Sequence, residues 1–455
     1  MTALSETKRY QAYPEYKDSG VEWLDVVPSH WNVSKVKHLA PFQVGWTPST
    51  RNDENFIGEN LWVNISDLKT RTIVDTAKRI SDKAAKEASM DITPKGSLMY
   101  SFKLSVGAVS FAGKDMYTNE AIASFLATAK LPLNYLYYAL PKFVIENAST
   151  NIYGAKILNQ ELINNALLLA PSFAEAERIA NFLDHETAKI DILIEKQQQL
   201  IKLLKEKRQA VISHAVTKGL NPQVPMKDSG VEWLGEVPEH WVSTPLKHYV
   251  KVIDCKHITA EFTDDGFPLA SISEVKGWSV DLSRAKYTSK KYYDALIEGG
   301  RRPLAGDIIY SRNATVGEAA LVLPDMPEFA MGQDVCLIRL LENVNSEYLL
   351  YVLNSGVIEN QLSLAMVGST FKRINVDNIR NFSLALPPLS EQEQINESLS
   401  NLTSKYDSLI DKASVKINLM KERRTALISA AVTGKIDVRN WKAPTHQDQA
   451  LEQTA

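Results

Sequence analysis

Fifteen residues occur twice in this chain. KDSGVEWLDVVPSHW (17–31) returns as KDSGVEWLGEVPEHW (227–241), differing only at Asp25/Gly235, Val26/Glu236 and Ser29/Glu239. Lys37-His38 recurs as Lys247-His248 at the same offset. A second phrase, KEKRQAVISHAVTKG (205–219), matches KERRTALISAAVTGK (421–435). Between these anchors the likeness is fainter. KGSLMYSFKLSVGAV (95–109) aligns with AGDIIYSRNATVGEA (305–319), and NYLYYAL (134–140) with EYLLYVL (347–353). Recurrence at a fixed offset settles architecture before local propensity does. The 455 residues are therefore a tandem duplication, each copy having near-identical edges and a diverged middle.

The middles read as mixed α/β domains. LWVNIS, SLMYSF, GAVSFA, DIIYSR and AALVLP are short β-rich runs bounded by turn formers, and NYLYYALPKFVIENA and EYLLYVLNSGVIENQL are helical. After each middle comes a stretch free of proline and glycine. The first runs to about Thr217, with Ile179, Leu183, Ile190, Leu193, Leu200, Leu204 and Val211 as a 3–4 spaced seam. Ser172 and Glu175 suit a capping box, and Gly219 a stop. The second has Ile395, Leu399, Leu402, Tyr406, Leu409, Ala413, Met420 and Leu427, with Ser390/Glu393 as the cap and Gly434 as the stop. The expected fold class is α+β: two mixed α/β domains, each followed by a long helix. The two helices are expected to pair as an antiparallel coiled coil with pseudo-two-fold symmetry. A helix of ~45 residues is ~65 Å long at 1.5 Å per residue.

Bulk properties exclude more than they assign. The net charge of −3 announces no nucleic acid, although only a contacting face needs to be basic. Two cysteines make no disulfide framework and fit a reducing compartment. The N-terminus lacks the apolar core of a signal peptide, and no run reaches a membrane span, so a cytoplasmic location is expected. No glycine-rich phosphate loop, no asparagine-proline-proline-aromatic methyl-transfer motif and no H-E-x-x-H is present. His30 and His240, each beside a tryptophan, suit a packed structural role.

Two patterns remain. Asp67-Leu-Lys69 and Glu274-Val-Lys276, with Asp53 and Asp265 upstream, resemble the carboxylate–lysine set of metal-dependent nucleases. The same tripeptides also suit a solvated turn after a strand. The second pattern is basic. The first middle carries Arg51, Lys69, Arg71, Lys78, Arg79 and Lys103. The second carries Lys276, Arg284, Lys286, Lys290, Lys291, Arg301, Arg302 and Arg312, interleaved with Tyr287, Tyr292 and Tyr293. Lys156 and Lys372-Arg373 precede the two helix regions. Such residues neutralise phosphates, and arginine reads guanine edges.

The order of these pieces resembles the specificity subunit of type I restriction–modification enzymes. The resemblance rests on the KDSGVEWLGEVPEHW-type opening, the variable middle, the PPLSEQEQI helix entry (387–395) and the KERRTALISAAVTGKID ending, arranged twice between about Tyr16 and Val438. The first copy departs mildly, entering its helix as APSFAEAERI (170–179). The resemblance implies a tail (1–16), a target recognition domain (17–170), a spacer helix (171–220), a second recognition domain (221–386), a second spacer helix (387–438) and a tail (439–455). Each recognition domain would read one half of a split, asymmetric DNA site, with the helix pair as a ruler for the unread gap. A rod of ~65 Å would set the domains about two turns of B-DNA apart at ~34 Å per turn, which suits a gap of several base pairs. The chain itself would be non-catalytic and bind no cofactor. S-adenosylmethionine, ATP and Mg²⁺ would belong to its partners, two adenine-methylating modification subunits and the restriction subunits. Trp23, Trp31, Trp233 and Trp241 would seat each domain on the far end of the other copy's helix or on a methyltransferase. The alternatives are a nuclease built on the acid-x-Lys pairs and a coiled-coil scaffold with no DNA role.

Overall fold

The computed structural model describes residues 10–442, apart from 88, 90, 151–153, 155, 314 and 366–372. The chain divides into two compact units, Met1–Lys196 with Lys416–Ala455, and Gln197–Val415. Neither unit is a continuous copy of the repeat. Each takes one diverged middle, the start of the helix that follows it, and the end of the other helix. No helix among the described residues is long and apolar enough to cross a membrane.

The long helices are Phe173–Lys218 (46 residues) and Leu389–Val432 (44 residues). Ser172 caps the first, its Oγ accepting from the Glu175 N–H at 3.3 Å. Left-handed glycines follow both ends, Gly219 at φ 71° and Gly434 at φ 72°. The capping boxes expected from the sequence are not what forms. The Glu175 carboxylate is drawn instead to Trp31, Tyr13 and His30. The second helix begins before Ser390, and the counterpart of Glu175 is Glu391, not the exposed Glu393.

The seam also differs from a strict heptad. In the first unit Ile179, Leu183, Ile190 and Ile194 turn inward; in the second Ile201, Leu204, Arg208 and Val211 do. Leu193 and Leu200 are 46% and 42% exposed, and Leu409 is 49% exposed where Ile410 is half-buried. An α-helix turns once per 3.6 residues, so a 3.5-residue reading drifts about 20° per heptad and steps off the inward face. The pairing is antiparallel. In the first unit Arg424 Nε lies 3.1 Å from Asp191 Oδ1. In the second, Arg208 Nε lies 3.0 Å from Asp407 Oδ1, later on one helix and earlier on the other.

Each middle is built on a mainly antiparallel sheet with the same central strands. The first has the order Phe42–Val44, Ile122–Phe125, Leu98–Ser101, Val109–Ala112, Thr72–Ile73. The second has Val250–Asp254, Val335–Leu340, Ile308–Ser311, Ala319–Leu321. The registers correspond: Tyr100 faces Ala123, which faces Val44. Likewise Tyr310 faces Cys336, which faces Asp254. Tyr100 and Tyr310 are fully buried.

The repeated phrase joins these domains to the helices. Trp31 is fully buried and its Nε1 donates to Glu175 Oε1 at 3.1 Å. The same carboxylate accepts from the Tyr13 hydroxyl at 2.8 Å and lies 3.0 Å from His30 Nε2. Burial first, then Glu175, pushes the Tyr13 phenol well above its ordinary range, so it stays a donor. On its other side Trp31 meets the end of the second helix. A Cβ on Gly434 would stand 3.2 Å from the Trp31 ring and 2.4 Å from Pro28 Cδ. The second unit repeats this. Trp241 Nε1 donates to Glu391 at 3.1 Å, and His240 Nε2 lies 2.8 Å from it. A Cβ on Gly219 would stand 3.3 Å from the Trp241 ring. Each tryptophan thus holds the start of one helix and the end of the other. Burying such a ring is worth roughly 4–6 kcal/mol by area, before the entropy of ordering it. In the first unit, chain segments from both ends of the sequence meet: the Asp437 N–H donates to Gln11 O at 2.7 Å, and the Tyr16 hydroxyl to Gly434 O at 3.0 Å.

Two glycines with the same φ of +72° separate strain from contact, since a Cβ on Gly20 would meet nothing within 4 Å. Gly20→Ala should cost about 1 kcal/mol for its left-handed backbone. Gly434→Ala should cost about 2–4 kcal/mol, because it also pushes into Pro28 and Trp31. Thermal or denaturant unfolding of the two variants reads the difference.

Candidate nucleic-acid interface

Many of the basic side chains that the sequence offers for DNA are committed within the fold. Arg71 pairs with Asp184 at 2.7 Å, donates to the Tyr138 hydroxyl, and lies 4.6 Å over the Tyr137 ring. Its pKa rises because the Asp184 and Tyr138 hydrogen bonds outweigh the opposing effect of burial. Arg79 bridges Glu59 and Asp75, Arg302 pairs with Glu328, and Lys290 with Asp294. Arg301 donates to the Asp254 and Glu298 carbonyls. Lys78, Lys286 and Lys291 lie over the rings of Phe56, Phe262 and Tyr292. Arg51, Lys69, Lys156, Lys276 and Arg284 are exposed. Lys372 lies outside the described residues.

Arg312 corrects the expectation for it. It is 4% exposed and holds Asp254 at 3.0 Å, so it fixes the fold in place of an exposed contact. Its place in the first unit is taken by Phe102, which follows the same Tyr-Ser pair, and Val44 stands where Asp254 does. One copy closes this end of the sheet with an apolar pair and the other with an ion pair. Trp31 and Trp241 are fully buried in their own units against the end of the other copy's helix, the first of the two seats expected for them, and leave no ring surface for a methyltransferase. Trp23 is 41% exposed with its ring 6.0 Å from Phe143, and Trp233 is half-buried.

The acid-x-Lys pairs do not assemble a metal site. Asp67 accepts from the Asn64 N–H at 2.9 Å, closing a short turn after the strand Asn60–Val63. Glu274 accepts from the Ser271 N–H at 2.8 Å in the matching turn after Phe267–Ala270. Both carboxylates are capping-box acids, which places the motif in the turn that the sequence also allowed. Asp254, Cys255 and His257 offer three donor atoms within 4.8 Å. The Arg312 guanidinium already stands against Asp254, and burial, then Asp254, raises the Cys255 thiol above its ordinary pKa. A cation there would face a fixed positive charge and a protonated thiol.

What both units do bring together is one end of the main sheet. In the first unit three loops meet beyond Val44, beyond Ser101 and before Ile122. The Trp46 N–H donates to Thr118 O at 2.9 Å, Thr47 Oγ1 donates to Glu120, and Lys103 Nζ lies 4.0 Å from Glu120. In the second unit the corresponding loops hold Lys256 and His257, Arg312 and Asn313, and Gln333 and Asp334. Gln333 Nε2 donates to Thr259 at 3.2 Å, Arg373 pairs with Asp334 at 3.4 Å, and Asn313 bridges to Arg373.

The family described as Type I restriction modification DNA specificity domain matches residues 28–203 and 238–418, both recognition domains and most of both helices. The chain belongs to that family. As a type I specificity subunit it is 22% identical over 422 residues to the type I restriction enzyme MjaVIII specificity subunit of Methanocaldococcus jannaschii, covering 91% of this chain and 95% of that one. It is 23% identical over 376 residues to the EcoBI specificity subunit of Escherichia coli, covering 77% of each. Its fold matches a chain solved in a study of complex assembly and conformational transition of the type I R-M system, with TM-score 0.65, 16% identity, and coverage of 90% of this chain and 99% of that one. It also matches the HsdS subunit of Thermoanaerobacter tengcongensis, with TM-score 0.51 and 16% identity, covering 90% and 98%.

Sequence reasoning offered Lys103 and Arg373 among its basic residues but passed over Trp46, Leu104, His257 and Gln333. Only Leu104 had a signal in the sequence: it lies where the two copies stop matching, just beyond the shared Tyr-Ser strand. The Arg312–Asp254 pair has a direct test. Arg312→Met strands Asp254 and should cost about 2–4 kcal/mol, at the lower end because Asp254 is partly exposed. Arg312→Phe with Asp254→Val, copying the first unit, should recover most of it. Unfolding midpoints of the single and double variants check this.

Proposed function

We propose that each recognition domain of this specificity subunit reads one half of a two-part DNA site, and that the paired helices set the gap between the halves. The observation that carries the reading is the two-sided tryptophan clamp. In both units the constant phrase holds a recognition domain to the start of one helix and the end of the other, so domain position follows helix length. The chain contributes no catalytic group: the two carboxylates that invite a nuclease reading close turns. It directs partners instead, two modification subunits that carry S-adenosylmethionine and methylate adenine, and restriction subunits that use ATP and Mg²⁺. It needs no cofactor of its own, and it works in the cytoplasm, where these partners and DNA are found.

Methylation mapping in cells that express this chain with its modification subunit tests the reading. A two-part, non-palindromic motif with a fixed gap is expected, because the two recognition domains differ. A palindrome, or one unbroken motif, would contradict it. The ruler has its own check. Four residues inserted into both helices, after Lys196 and after Lys412, add ~6 Å at 1.5 Å per residue. With base pairs ~3.4 Å apart, the gap should widen by about one or two base pairs while both half-site sequences stay the same. An unchanged gap would remove the ruler.

A further inference from the structure

Resting on the half-site reading, we infer that the three-loop end of each main sheet is the base-reading surface. Trp46, Lys103 and Leu104 form it in the first unit, and His257 and Gln333 in the second, where Arg373 joins them from the segment before the helix Val376–Arg380 through its pair with Asp334. Four observations converge there. The same strands lead to the same end of the sheet in both units, so the two surfaces are structural equivalents. The scaffold beneath is shared, Tyr100-Ser101 matching Tyr310-Ser311, yet every named surface residue differs between the copies. A surface that is equivalent in place and different in chemistry is what two unlike half-sites require.

Backbone strain is the third observation. Leu104 and Ser105 have φ values of 41° and 26°, and Asp334 has 64°, in the left-handed region that side chains avoid. Three of the six such non-glycine residues described thus lie at these two loop ends. Strain of this kind gathers where a loop presents a side chain to a ligand. The fourth is exposure. Leu104 is 81% exposed, the most of any large apolar residue described, and Trp46 is 57% exposed. A lone leucine held outward on a strained tip has no folding role to account for it.

The chemistry separates the two surfaces. In the first unit leucine and tryptophan offer apolar contact, which in the major groove suits the thymine methyl group. Lys103 lies beside Glu120, whose carboxylate opposes phosphate but accepts from the cytosine amino group. In the second unit Gln333 is exposed and suits the major-groove N6/N7 edge of adenine, while His257 and Arg373 can donate to guanine acceptors. Arg312 lies beneath this surface as a positioning residue, tying the first of the loops to the second.

The test uses the assembled complex of full-length chain and modification subunits. Methylation is mapped genome-wide for the wild type and for Leu104→Ala, Trp46→Ala, Gln333→Ala and His257→Ala. The first two should relax one or two positions of one half-site by about 10-fold in preference, and the last two positions of the other half-site. The gap and the opposite half-site act as the internal control for folding and assembly. A wild-type two-part motif that all four variants keep unchanged would overturn this inference and leave the proposed function standing. A loss spread equally over both halves, as phosphate contacts give, would also overturn it. A wild type that methylates without any two-part motif would overturn the underlying reading instead.

Discussion

The hydrogen bond from a buried indole to a glutamate in the first turn of a long helix is the constraint on which the other parts depend. Trp31 with Glu175 and Trp241 with Glu391 place a recognition domain at a helix start. The six-membered ring of each tryptophan also meets the glycine that follows the other helix, so one side chain fixes two helix ends at once. A carboxylate in the first turn is favoured by the helix dipole, and inside the fold it needs donors. Trp, His and, in the first unit, Tyr13 supply them. The fifteen-residue phrase is repeated because an antiparallel pair has two such junctions.

Constancy and variation are thereby divided between different atoms. The clamp, the Tyr-Ser strands and the helix termini are common to both units. The loop ends are not. The exchange of Val44 and Phe102 for Asp254 and Arg312 shows how one backbone accepts an apolar pair or an ion pair at equivalent sites. Such a site lets surface loops change chemistry without disturbing the sheet that carries them. Carboxylates that look catalytic by spacing, Asp67 and Glu274, belong to the constant part, closing the same turn in each copy.

Much of the fold could be read from the sequence, because duplication exposes its own frame. The two long helices, their glycine stops and their antiparallel partnership followed from absent breakers and a matched apolar seam. The misplaced seam residues have a single cause: Leu193, Leu200 and Leu409 fit a 3.5-residue count, while the helices follow 3.6. The carboxylates were harder to assign. Glu175 and Glu391 sit where a capping box belongs, and only tertiary structure brings indoles from more than a hundred residues away to claim them. The interface was least legible. Counting basic residues favours charge, but charge is where ion pairs form, and Arg71, Arg79, Arg302 and Arg312 are taken by acids of the same chain. The exposed Leu104 and Trp46 leave no such compositional trace.

The central claim is that one tryptophan couples two helix ends, and native-state amide hydrogen exchange measures it most directly. In the first unit, amides of Ile179–Leu183 and of Ala430–Val432 should exchange with one common opening free energy. Trp31→Phe, which removes the indole donor, should lower protection at both ends together. Amides of Ile212–Val216 and Ile395–Leu399 in the second unit should keep theirs. Loss of protection at only one of the two ends, or independent opening of the two in the wild type, would contradict the clamp.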